Sequence, residues 1–324
     1  MNGGLLRPAL FFFIALTPVF FALTAYRTVD RCPKNLHIPS MGTVFEIQYL
    51  TSCGPDSVGP AIKAKLDRWE ASMSLYQSES EISRLNRYGI LEDPSADFLK
   101  LLSISIGHSQ ATKGYFEITV WPVLQLIKTN FKTTGKPPRA HALEMLKPLV
   151  DSAGIELSRQ IRFKNKGVMI TLDGIAKGFA VDEIGRWLRA AGISNFLINF
   201  SGNMLAGGYR ADEKPWTVGI PNPVTGETTT IELHDEAIAS SGVDYSFYSK
   251  DKKWHHLINP RTLRPANGAV ATTIVGPSAT TCDVLSTATF ALGSTTAAKI
   301  LAENYPKYRY WIYEAPKNEI SASN

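Results

Sequence analysis

Residues 168–202, VMITLDGIAKGFAVDEIGRWLRAAGISNFLINFSG, restrict the fold more than any other stretch of the 324-residue chain. The β-branched run 168–172 reads as a short strand that meets Gly174 and Gly178. Beyond it Val181, Ile184, Trp187, Leu188 and Ala191 recur at three- and four-residue steps, with Asp182, Glu183, Arg186 and Arg189 between them. That spacing predicts an amphipathic helix. Gly192 stands where a C-cap glycine belongs, and 195–200 reads as a buried strand closed by Gly202. A helix opening at Gly174-Ile175-Ala176-Lys177-Gly178 offers backbone N–H groups and one fixed cation, Lys177, to a phosphate or diphosphate. The same residues equally describe a tight turn with a solvated lysine, and the pattern is neither a Walker A loop nor GxGxxG.

With 44% hydrophobic and 19% charged residues the chain is globular, large enough for a sizeable core or two lobes. Its formal charge of +5 is dispersed, which excludes a nucleic-acid stripe and leaves room for a small anionic ligand. Residues 8–26 carry no charge and follow Arg7, so 1–26 read as a signal peptide or an uncleaved anchor with at most one membrane pass. Residues 27–40 read as a basic linker, 41–315 as one domain and 316–324 as a polar tail. Val29-Asp30-Arg31 before Cys32 is not a lipoprotein cleavage box. Three cysteines, Cys32, Cys53 and Cys282, are too few for a disulfide framework or a zinc site. One must stay unpaired, and sequence spacing gives no warrant for bridging Cys32 to Cys53.

Along the chain, 41–49 alternates as a half-buried strand, while 57–76 and 95–112 have helical spacing with Ile62, Leu66, Trp69, Phe98 and Leu102 inward. Residues 81–86 form a short turn or helix, and 126–150, with Pro137-Pro138, reads as an excursion. Residues 155–157 and 161–163 suit a hairpin. Short strands then follow at 216–220, 228–233, 237–240, 246–248, 255–258 and 269–276, before helices over 280–292 and 297–304 and a last strand at 308–313.

Asp283 and Thr287 lie four apart on the 280–292 helix and so share a face. One carboxylate, one hydroxyl and a main-chain carbonyl make a hard-oxygen set suited to Mg²⁺. The plainer alternative makes Asp283 a first-turn acid and lets Thr287 bond back to a carbonyl four residues earlier. His255 and His256 are adjacent on a strand, so at most one faces a site. Tyr76, Tyr115, Phe116 and Trp121 are able to stack on a flat ring or belong to the core, and no GxSxG elbow is present.

Eight stretches in order, MGTVFEI (41–47), SLYQSESEISRLN (74–86), GYFEITVWP (114–122), LDGIAKGFAVD (172–182), NFSGNMLAGG (199–208), ASSGVDY (239–245), HHLINPRT (255–262) and CDVLSTATFALG (282–293), together resemble the ApbE-type FAD:protein FMN transferases. The resemblance implies an α+β fold, ApbE-like and T-fold-related, with two lobes of mixed sheets and helices about a cleft. It also implies Mg²⁺-dependent transfer of FMN from FAD to a Thr or Ser hydroxyl of an acceptor redox protein, with release of AMP, on the periplasmic side of the inner membrane. Alternatives within the same pocket are an FAD-binding accessory factor for a respiratory enzyme and a metal-dependent FAD pyrophosphatase. By position the resemblance assigns Gly174, Asp283 and Thr287 to the metal, His256 with Asp283 and Thr287 to catalysis, and Met41, Tyr76, Tyr115, Phe116, Glu117, Thr171, Lys177, His256 and Ile258 to FAD. Several acids depart from the family pattern. Thr171 stands at a usual acid, Glu117 at a usual aspartate, Asn203 at the second acid of a glycine-glycine-aspartate turn, Asn259 at an aspartate, Leu263 at a glycine, and Asp173 at a usual glycine.

Overall fold

The computed structural model describes residues 31–55, 57–243 and 246–314. In chain order the elements are β1 (Arg31–Ser40), β2 (Thr43–Ser52), α1 (Val58–Met73), α2 (Glu81–Tyr88), β3 (Ile90–Glu92), α3 (Ala96–Ala111), α4 (Trp121–Thr134) and α5 (Ala140–Glu144). A hairpin of β4 (Ile155–Leu157) and β5 (Gln160–Phe163) precedes α6 (Ala176–Ala190), β6 (Phe196–Phe200), β7 (Asn203–Gly207), β8 (Trp216–Pro221) and β9 (Thr228–Leu233). Then come β10 (Ala237–Gly242), β11 (Ile258–Asn259), β12 (Arg264–Pro265), β13 (Ala271–Gly276), α7 (Ala279–Leu292), α8 (Ser294–Asn304) and β14 (Arg309–Tyr313). The class is α+β, as the motifs imply, and the strand pairs are antiparallel throughout the described residues.

A seven-stranded sheet of order β1-β2-β6-β7-β10-β13-β14 carries the main core. Helices α1, α3, α6 and α7 supply its other half through Leu66, Trp69, Leu102, Ile184, Leu188 and Leu285, all buried. A smaller core joins Val123, Leu124 and Ile127 of α4 and Leu143 of α5 to Ile258 and Leu263. The stretch expected to be an excursion is therefore this second cluster's scaffold, with α4 opened by Pro122 and closed by Gly135 at φ +66°.

Residues 31–40 correct the expected linker, because they form the edge strand β1, paired with β2 over its full length. Pro33 and Pro39 are accommodated because an edge strand needs no N–H from a proline facing away from its neighbour. Both are exposed, while Ile38 and Ser40 point inward. The hairpin register sets Cys32 opposite Thr51, and Cys32 forms a disulfide with Cys53 at a Cα separation of 5.1 Å. Only partner strands could reveal that pairing. Cys282 is the buried free thiol. The apolar segment 8–26 and the tail 316–324 lie outside the described residues, within which no helix is long and apolar enough to cross a membrane.

Three sequence-read strands do not form as expected. Residues 168–172 are extended but join no sheet, since the Asn86 side chain serves as the neighbour: its Nδ2 donates to the Ile170 carbonyl (2.8 Å) and its Oδ1 accepts from the Ile170 N–H (2.7 Å). The Thr171 N–H donates to the Ile118 carbonyl at 2.8 Å. Around His255 a single bridge, Phe247 with His255, replaces the two short strands.

The junction that positions the site is the meeting of α6 and α7. A Cβ on Gly178 would lie 2.5 Å from the Ala279 carbonyl oxygen and 2.9 Å from the Asp283 Cβ, so only glycine permits this approach. Asp182, one turn on, crosses to cap α7. It accepts from the Ala279 N–H (2.8 Å), the Thr280 N–H (2.9 Å) and the Ser278 and Thr280 hydroxyls (2.7 and 2.6 Å). Asp182→Ala strips four donors of their acceptor and should cost about 2 to 4 kcal/mol, read as a lower denaturant midpoint at unchanged m.

Candidate functional site

At the start of α6 the backbone hydrogen bonds depart from helical order. The Ile175 and Ala176 N–H groups both donate to the Leu172 carbonyl (3.0 and 2.8 Å), and the Gly178 N–H donates to Asp283 Oδ2 (3.1 Å) rather than to the carbonyl four residues earlier. The Gly174 carbonyl therefore has no donor among the described residues. Internal bonds take the Ile175, Ala176 and Gly178 N–H groups among those expected to cradle a phosphate, and the Gly174 and Lys177 N–H groups remain. The half-buried Lys177 ammonium makes no ion pair within 4.0 Å among the described residues.

Asp283 is buried, and burial pushes its carboxyl up to about 6, against the attraction of Lys177 and the Gly178 N–H and with a small further rise from Asp173. Thr287 does not bond back along its helix. Ser286 and Thr289 do so, donating to the Asp283 and Leu285 carbonyls at 2.9 and 2.7 Å. The Thr287 hydroxyl instead points at Gly174, where a Cβ would sit 3.1 Å from Oγ1 and 3.4 Å from Phe116 Cε2. The structure thus brings Gly174, Asp283 and Thr287 together across a hundred residues of sequence. Among the described residues no group of three or more His, Cys, Asp or Glu converges anywhere, and this set relies on one carboxylate with two neutral oxygens. Such a donor set suits a hard divalent ion that keeps several waters.

The two histidines part as expected. His255 turns into the interior, its Nε2 bonded to the Ala266 carbonyl (3.0 Å) and its ring edge-on to Phe290. Burial lowers its pKa to about 4. His256 pairs Nδ1 with the Ser246 carbonyl at 2.8 Å. A carbonyl only accepts, so Nδ1 carries the proton and Nε2 keeps its lone pair. Burial lowers the His256 pKa, Asp173 raises it and Lys177 lowers it, which sets all three around one space. Tyr248, with a pKa raised by burial, Asp173 and Tyr76, borders the same space.

The remaining assigned residues divide. Tyr76 is 89% exposed, free to stack on a planar ring. Tyr115 lies under the Arg261 guanidinium, 4.3 Å from its ring centre, and Phe116 is buried against Gly174. Met41 occupies the β1–β2 turn at φ +48° with its N–H donated to Glu70 at 3.0 Å, a partner that sequence reasoning missed. Thr171 is buried and accepts from the Asp173 N–H at 3.2 Å, and Ile258 belongs to the smaller core. Glu117, assigned to FAD by position, meets donors of the protein itself. Its Oε1 accepts from the Thr119 N–H and hydroxyl (3.0 and 2.8 Å), and its Oε2 from the Ser109 hydroxyl (2.9 Å) and the Ser152 hydroxyl and N–H (2.9 and 3.3 Å). Five protein donors leave this carboxylate a scaffold for the 114–120 loop. A cavity of about 320 Å³ lined by Lys113, Glu117, Ser152 and Arg261 opens beside it.

Comparison with known proteins follows this geometry. A protein named FAD:protein FMN transferase from Haemophilus influenzae is 30% identical over 304 residues, covering 86% of this chain and 87% of the relative. One of the same name from Treponema pallidum is 31% identical over 262 residues, covering 74% and 72%. The solved flavin transferase ApbE from Vibrio cholerae superposes with a TM-score of 0.75 at 25% identity, over 87% of this chain and 97% of that one. The ApbE protein from Thermotoga maritima shares the fold, with a TM-score of 0.77 at 24% identity over 87% and 94%. The sequence profile described as the ApbE family matches residues 41–312, and with the glycine turn, the α6–α7 junction and the solved folds in agreement, the chain belongs to the ApbE family.

Proposed function

We propose that this protein transfers FMN from FAD to a Thr or Ser hydroxyl of an acceptor redox protein, releasing AMP, with a divalent cation such as Mg²⁺ held by the Gly174 carbonyl, Asp283 and Thr287. The observation that carries the reading is the diversion of the Gly178 N–H to Asp283, which leaves the Gly174 carbonyl unpaired beside a buried carboxylate and a free hydroxyl. The names of the Haemophilus influenzae and Treponema pallidum relatives support the substrate and the reaction class.

In this reaction the acceptor oxygen forms a bond to the FMN phosphorus, the bridging P–O bond breaks, and AMP departs with the electron pair. Phosphoryl transfer of this kind depends on positioning and charge neutralisation. When bound, the cation supplies positive charge to the diphosphate oxygens. Lys177 adds a fixed charge at the mouth of the same site. His256 Nε2, kept neutral by burial, is the acceptor for the hydroxyl proton, and Ser246 holds its tautomer. Tyr76 and Tyr115 offer ring faces to the flavin or adenine, while Phe116 keeps water from the Gly174 side.

Export supports an acceptor outside the cytoplasm: an uncharged segment at 8–26 follows Arg7, and a Cys32–Cys53 disulfide suits an oxidising compartment. Incubating residues 27–324 with FAD, Mg²⁺ and a threonine-bearing acceptor should yield fluorescent, covalently flavinylated acceptor and AMP in equal amounts. Free FMN and AMP without acceptor would identify a pyrophosphatase instead. Yellow protein that releases no AMP with Mg²⁺ or Mn²⁺ would identify a flavin-holding factor, the reading that the non-acidic Thr171 and Asn203 favour.

A further inference from the structure

The hairpin that joins β6 to β7 turns in two residues, Ser201 at φ +55° and Gly202 at φ +90°, and places Asn203 opposite Phe200 at the first position of β7. From there the side chain runs beneath α7. Asn203 is 5% exposed, and its amide lies against the Asp283 carboxylate and favours its ionised form. Its Oδ1 is shut off from solvent and has no hydrogen-bond partner; among the described residues the only other such side-chain atom is Arg84 Nε. A buried amide oxygen without a donor costs about 1 to 3 kcal/mol, and native folds keep few of them. The amide that carries this orphan reaches, through its nitrogen, the one carboxylate of the oxygen set formed with Gly174 and Thr287.

We propose that Asn203 is a further residue of the cation site: its amide nitrogen steadies the Asp283 carboxylate, and its Oδ1 finds its missing partner in the hydrated ion, directly or through one bound water. The inference rests on the cation reading above. An amide is the side chain that does both tasks without charge. It offers N–H donors to Asp283 and an oxygen to the ion, whereas a second carboxylate in its place would compete with Asp283 for a proton when no metal is present. Asn203 is thus a positioning residue that acts on the reaction through Asp283 and the metal.

The test is Mn²⁺ binding to the folded protein, followed by the loss of the free Mn²⁺ paramagnetic signal at pH 8 and by the metal-induced rise in Tm. Wild type, Asp283→Asn, Asn203→Leu and Asn203→Asp are compared. Asn203→Leu should bind Mn²⁺ about 10- to 100-fold more weakly, the range for loss of a partner to a metal ligand, while unfolding no earlier than wild type without metal. Asn203→Asp keeps the shape and the oxygens and should bind at least as tightly as wild type at that pH. Mn²⁺ affinity of Asn203→Leu within about twofold of wild type would overturn the inference. So would equal weakening in both Asn203 variants, which would make the position a matter of packing. A wild type that takes up no Mn²⁺ would instead sink the cation reading and this inference with it; wild-type uptake lost in Asp283→Asn but retained in Asn203→Leu overturns Asn203 alone.

Discussion

Asp283→Asn is expected to make the metal-free protein more stable while removing flavin transfer. Burial raises the Asp283 carboxyl from 3.8 to about 6, so its charged form opposes folding. The sign follows from linkage: below the unfolded pKa the group is protonated in both states and exerts no penalty. As the pH rises through the interval up to about 6, the unfolded chain ionises first and stability falls, by about 3 kcal/mol in total, at 1.36 kcal/mol per unit. Asparagine keeps an oxygen for the Gly178 N–H and has no such penalty. The variant should therefore gain stability relative to wild type as the pH rises from 4 to about 6 and keep that gain above it, a difference in which the titrations common to both proteins cancel, measured by denaturant midpoint in the presence of chelator. The same substitution removes the only charged member of the oxygen set proposed for the cation. With several kcal/mol of charge stabilisation lost, transfer should fall by about 10³-fold or more, and added Mg²⁺ should no longer raise Tm. A variant less stable than wild type at pH 8 without metal would mean that Asp283 is held by a partner the geometry does not contain.

Glu117→Ala is expected to act in the opposite sense, as a stability defect. Five donors converge on this carboxylate from Ser109, Thr119 and Ser152. Its removal leaves buried N–H and O–H groups without an acceptor, at a cost of about 3 to 5 kcal/mol. The loop 114–120 that carries Tyr115 and Phe116 should loosen with it. Glu117→Gln retains one acceptor oxygen and should recover part of the loss. Chemical denaturation of the three proteins, alongside the KM for FAD, checks this: a raised KM at unchanged stability would return Glu117 to the ligand-binding role its sequence position suggested.

Helices α1, α3 and α6 were legible because each turns an apolar stripe onto the sheet, and that stripe is written at three- and four-residue spacing. Gly192 marked a helix end for an equally local reason, its positive φ. Misreadings occurred where a distant partner decided the outcome. The run 168–172 has strand composition but is satisfied by Asn86, and β1 reads as a basic linker until β2 is beside it. The Glu117 carboxylate also meets Ser152, a donor 35 residues away that no local pattern announces.

By itself the sequence determined the α+β class, the principal helices, the family, and the pairing of Asp283 with Thr287 on one helical face, because each of these depends on residues a few positions apart. The tertiary structure alone decided that the Gly178 N–H goes to Asp283, that the Gly174 carbonyl is thereby left open, that Asp182 caps a helix 96 residues further on, and that Asn203 carries an unsatisfied oxygen beside the same carboxylate. Hydrogen-bond satisfaction in a buried site is a property of the whole packed neighbourhood. No local pattern records which donor an oxygen will meet.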